Sequence, residues 1–119
     1  MEGRTYEIED ADATDLATAV VDRLEPDHRY DGRGFDVLVA EEYEFWRTNS
    51  NMQVTVIVDG TGDGCRIEVF VGGGATGIFQ FTAGSETKIL RAAVSEIEYA
   101  LDELDVEVER VRNLRTEVR

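Results

Sequence analysis

Hydrophobic and polar positions change period several times along this chain, and each change predicts an element. Tyr6 and Ile8 alternate with polar neighbours between Thr5 and Glu9, the period-two pattern of a short strand. The run Asp-Ala-Asp-Ala-Thr-Asp follows, with side chains that cap helices and suit their positive ends. Ala13, Leu16, Ala17, Val20 and Leu24 then share one helical face, and Pro26 closes that helix. Pro-Asp-His-Arg-Tyr-Asp-Gly-Arg-Gly reads as a polar loop.

From Phe35 the period returns to two. Phe35, Val37, Val39, Tyr43 and Phe45 fall on one face, with Glu41 interrupting it, so a bulge or bend is expected near Ala40–Glu42. Val54, Val56 and Val58 define the next strand. Asp-Gly-Thr-Gly-Asp-Gly connects it as a hairpin to the strand of Cys65, Ile67, Val69 and Val71. Phe79 and Phe81 mark a short further strand. A second helix opens around Thr82 or Ser85, and Leu90, Val94, Ile97, Leu101 and Leu104 recur at its 4-3-4-3 spacing. Val108, Val111 and Val118 continue near that spacing, so residues 105–119 read as a tail or helix extension beyond a single domain of residues 1–104. The order is β-α-β-β-β-β-α, an α+β fold whose antiparallel sheet of about five strands carries both helices on one face.

Composition adds an environment. The 119 residues are enough for one core, and Cys65, the single cysteine, reads as a buried small hydrophobe. No apolar run is long enough to span a bilayer, and the first residues lack signal-peptide character, so a cytoplasmic protein without membrane contact is expected. The net charge is −14, and Lys88 is the only lysine beside eleven arginines. Such a surface repels itself at low salt and is screened in molar salt, as in proteins of salt-accumulating haloarchaea. The same charge argues against nucleic acid, whose phosphates need basic partners.

Candidate chemistry is sparse. The run Gly72, Gly73, Gly74 and Gly77 invites comparison with a phosphate loop, but an apparent strand follows it, not a helix, so a turn is the better reading. Asp59, Thr61, Asp63 and Gly64 begin like a calcium loop, yet Thr61 and Phe70 stand where acids are required. His28 has no second histidine to help hold zinc, and no catalytic constellation or cofactor motif stands out. The candidate ligand site is therefore the end of the sheet near Arg47, with Gly72, Gly73, Gly74, Gly77 and Ser85. On the sheet face away from the helices, Leu38, Trp46, Ile57, Phe70 and Ile78 would form an apolar stripe, the mark of an interface.

Residues 35–90 also resemble a family of small uncharacterised proteins shared by bacteria and archaea. The resemblance rests on the Glu-Tyr strand ending in Arg47 and Ser50, the alternating valine strand, and Gly-Gly-Gly-x-x-Gly-x-Phe-x-Phe. It implies no activity. The element order is similar to the TATA-binding-protein half-repeat and other helix-grip folds, an architectural analogy that does not transfer function. The leading expectation is a salt-adapted interaction domain without catalysis that forms homo-oligomers, dimers first. Two others stand beside it: a small-ligand receptor or enzyme at the Arg47 sheet end, and an acidic regulatory partner of a basic protein.

Overall fold

The computed structural model describes residues 2–41, 52–73 and 82–115. Their order is β1 (Glu2–Ile8), α1 (Ala13–Leu24), β2 (His28–Asp31), β3 (Phe35–Glu41), β4 (Met52–Asp59), β5 (Cys65–Gly73), α2 (Thr82–Leu104) and β6 (Val108–Arg115). The strands form one antiparallel sheet in the order β2-β3-β4-β5-β1-β6. This is the expected α+β architecture of an antiparallel sheet with two helices, and two of its six strands, β2 and β6, were not expected as strands. No helix among the described residues is long and apolar enough to cross a membrane.

Local chemistry sets the helix limits. Asp12 caps α1 by accepting from the amides of Thr14 at 2.8 Å and Asp15 at 3.3 Å. Glu25, left-handed at φ 52°, ends the helix by donating its amide to the Val21 carbonyl. Between β2 and β3 the chain turns through Gly34, whose φ of +83° suits glycine.

The end of α2 corrects an expectation. Asp105 takes φ 56°, its amide meets the Asp102 carbonyl, and the Val106 amide meets the Leu101 carbonyl. This paired closure is a Schellman stop, so residues 108–115 leave the helix and return as β6 against β1. They are a strand of the same sheet, neither tail nor helix extension. The polar loop expected before Phe35 is likewise partly strand: His28–Asp31 pairs with Asp36–Val39, and the ladder makes a strand of a segment without apolar alternation.

One core holds the two layers together. Leu16, Val20 and Leu24 of α1 and Ile89, Ala93, Ile97 and Leu101 of α2 bury against Val54, Val56, Val58, Ile67 and Val69. Arg23 ties the helices to each other, with Nε 3.0 Å from Glu96 Oε1 and its guanidinium 4.4 Å from the Tyr99 ring centre. The outer side of this layer is acidic: α1 and its caps carry Asp12, Asp15, Asp22 and Glu25 against Arg23. On α2, Glu96, Glu98, Asp102 and Glu103 outweigh Lys88 and Arg91.

Tyr6 shows how the core meets this charged shell. Its ring is 1% exposed and its hydroxyl donates to Glu98 Oε2 at 2.9 Å. Burial first, and then the adjoining Glu98 carboxylate, hold that hydroxyl well above the ordinary tyrosine value, against the opposing pull of Arg4. The folded state therefore binds this proton more tightly than the unfolded chain. Its contribution to stability is complete below the unfolded value of about 10 and is lost as pH rises beyond it. Alkaline titration should show Tyr6 ionising only as circular dichroism collapses, with Tyr6→Phe lacking that part of the alkaline loss. Reversible titration of all four tyrosines near the ordinary value in folded protein would contradict this.

Candidate functional site

Among the described residues, the helices cover one sheet face and leave the other uncovered, and the ladder registers fix what that other face presents. Across the sheet, one row reads Tyr30, Val37, Ile57, Glu68, Thr5, Arg112. The next reads His28, Val39, Thr55, Phe70, Gly3, and a third runs Phe35, Asp59, Arg66, Glu7, Arg110. The face is thus divided. Its β2–β5 side is largely apolar, with Val37, Val39, Ile57, Phe35 and Phe70 half-buried by their neighbours and Tyr30 63% exposed. Tyr30 and Phe35 stack at a tilt, with ring centres 6.0 Å apart.

The β5–β1–β6 side is charged but close to balanced. Arg66 lies 3.5 Å from Glu68 and Arg112 3.3 Å from Glu7. Among the described side chains of this face, Glu7, Asp59, Glu68 and Glu109 stand against Arg66, Arg110 and Arg112. A chain of net charge −14 therefore keeps its surplus elsewhere.

The stripe expected from the sequence is partly relocated. Ile57 and Phe70 lie on the uncovered face as expected. Leu38 does not: it is 0% exposed, stands opposite Val56 and belongs to the core. Phe35, Val37 and Val39, expected in the core, take the uncovered face instead. β3 is apolar at both alternations, and its register with Val54, Val56 and Val58 decides which set is buried. Trp46 and Ile78 lie outside the described residues.

The candidate ligand site is only partly described. Gly72 and Gly73 close β5, paired with Gln53 and Met52. Ser85 is inside the first turn of α2, not ahead of it. The bulge or bend expected near Ala40–Glu42 does not fall on Ala40 or Glu41, which stay in register with Val54 and Gln53. Glu42, Arg47, Gly74 and Gly77, like the expected strand at Phe79 and Phe81, lie outside the described residues.

At the opposite end of β5, a cavity of about 500 Å3 is lined by Glu7, Glu9, Asp59, Asp63, Arg66 and Glu109, among others. Asp59 is engaged there, accepting from the Thr61 amide at 2.9 Å and hydroxyl at 2.6 Å, which holds its carboxyl below the usual range. The loop thus folds as a closed turn on its own acid. Glu109 is raised by a shared hydrogen bond with Glu9 and by the charge of that neighbour. The Cys65 thiol donates to the Ala11 carbonyl at 3.1 Å, and burial pushes it up, away from the thiolate a nucleophile requires. Among the described residues, no group of three or more His, Cys, Asp or Glu side chains could hold a metal ion.

Two features of the site escaped sequence reasoning, the apolar contribution of Tyr30 and β3 to the uncovered face and the arginine-bearing edge strand β6. Comparison with protein-family models, curated proteins and solved structures gives no match in any of the three.

Proposed function

We propose that this chain is a salt-adapted interaction domain of the cytoplasm, without catalysis of its own, that self-associates through the uncovered face of its sheet. The observation carrying this reading is the division of that face. An apolar half around Val37, Ile57 and Phe70 adjoins a charged half that nearly balances, while the helical layer opposite is acidic. Two copies meeting through their helices would bring like charges together. Meeting through this face, they bury apolar surface at little electrostatic cost. Sheets stacked this way lie about 10 Å apart, with side chains interdigitating between them. Molar salt favours the contact, because it screens the repulsion of two −14 chains while leaving apolar burial intact.

Sedimentation in molar potassium chloride tests the reading. Ile57→Lys replaces the centre of the apolar half with a charge opposite Glu68, a pairing the sheet tolerates. The wild-type species should have at least twice the mass of this variant, with unchanged circular dichroism. Equal masses would remove the face contact.

A further inference from the structure

Among the described residues, β6 is an edge strand of eight residues, bonded to β1 on one side only. Val111 is 49% exposed although its ladder partner Tyr6 is 1% exposed, so this strand reaches past the helical cover. Residues 107–112 read Glu-Val-Glu-Arg-Val-Arg. Laid antiparallel on itself, this sequence is its own complement. We propose that two copies of the chain join through their β6 edges, about a two-fold axis passing between Glu109 and Arg110 perpendicular to the sheet.

In that register Glu107 faces Arg112 of the second copy, Val108 faces its Val111, and Glu109 faces its Arg110. The symmetry makes each pair twice. The side chains must also emerge on matching faces, and an irregularity in β6 arranges this. The β1 register shifts between Glu7, paired with Arg110, and Ile8, paired with Val108, leaving Glu109 as the extra residue. Val108 and Val111 therefore both stand on the helix side, opposite Ile8 and Tyr6, despite being three residues apart. Arg110 and Arg112 stand on the bare side, and Glu109 lies close to Glu7 and Glu9. Directly opposite side chains in such a ladder have Cβ atoms about 4.5–5.5 Å apart, close enough for every Glu–Arg pair to form.

Neighbouring registers are worse. An axis through Val111 sets Arg110 against Arg112, and one through Arg110 sets that arginine against itself. The pattern thus selects one alignment, while the backbone groups of the free edge supply the hydrogen bonds. Glu109 gains most: crowded by two acids in the single chain, it receives the guanidinium of Arg110 from the second copy. The product is a closed two-fold dimer with a continuous sheet, its two bare faces on the same side. This contact is independent of face stacking, and both can coexist in a larger assembly.

Charge exchange tests it, on the Ile57→Lys background so that stacking is silent, at the lowest salt that keeps the chain folded. The parent should sediment as a dimer. Arg110→Glu/Arg112→Glu and Glu107→Arg/Glu109→Arg each set like charges opposite, and each should weaken dimerisation by about 100-fold. An equimolar mixture of the two should restore the dimer, and that rescue excludes misfolding as the cause. If a double variant loses its circular dichroism, Arg112→Glu and Glu107→Arg alone carry the same complementarity. A monomeric parent overturns the edge contact, and a larger wild-type species would then leave stacking intact. Folded variants that dimerise as tightly as the parent, or a mixture that stays monomeric, overturn it as well.

Discussion

Leu38→Ala should destabilise the folded chain by about 2–5 kcal/mol, whereas Val37→Ala, one residue away, should cost about 1 kcal/mol. Leu38 is 0% exposed and opposes Val56 on the core side of β3. Truncating it removes apolar contacts and leaves a cavity that the sheet, pinned on both sides by β2 and β4, can only partly close. Val37 lies on the other side of the same strand, half-buried between Tyr30 and Ile57, with room for neighbours and water to adjust. Denaturant unfolding of both variants measures the difference directly. Equal losses, or a larger loss at Val37, would mean that β3 presents its other face to the helices.

At Gly3 the danger is excess volume. A Cβ there would sit 2.7 Å from the Val69 carbonyl oxygen and 2.9 Å from Cδ1 of Phe70. The carbonyl belongs to the paired strand and cannot retreat without disturbing the ladder, while the Phe70 ring occupies the space left free by the missing side chain. Gly3→Ala should therefore cost about 1–3 kcal/mol and displace that ring from the uncovered face. Gly62 is the control, because a Cβ there meets nothing within 4 Å. Thermal unfolding should separate the two alanine variants clearly, and indistinguishable midpoints would remove the close approach.

These two sites also show what the sequence could convey. The 4-3 spacing through Leu90, Val94, Ile97 and Leu101 admits one reading, and all four are buried as that spacing requires. Val54, Val56 and Val58 are nearly as plain, since Gln53, Thr55 and Asp59 mark the other face and Ile57 is the one apolar residue on it. β3 is not, because Val37, Leu38, Val39 and Ala40 satisfy either face and only the ladder with β4 chooses. β2 carries no apolar rhythm at all, and its extended shape comes from pairing with β3. β6 was disguised for a more specific reason. The extra residue at Glu109 turns the two-residue step of a strand into the three-residue step between Val108 and Val111, which imitates a helix. Only the stop at Asp105 reveals the difference, since an aspartate in left-handed geometry leaves a weaker mark than a glycine. The expected ligand site was legible only as a cluster of residue types, of which the described chain places Gly72, Gly73 and Ser85 in regular structure.

Among the described side chains, the unequal charge of the two layers makes an electrical top and bottom. Asp12, Asp15, Asp22 and Glu25, with the acids of α2, crowd one side, while Arg66, Arg110 and Arg112 offset the acids of the other. The resulting dipole runs through the thickness of the protein, across the strands. Near a positively charged wall, such as a bead, a mineral or another macromolecule, the chain should therefore settle with its helices inward. Its bare sheet is then turned outward, toward whatever arrives next.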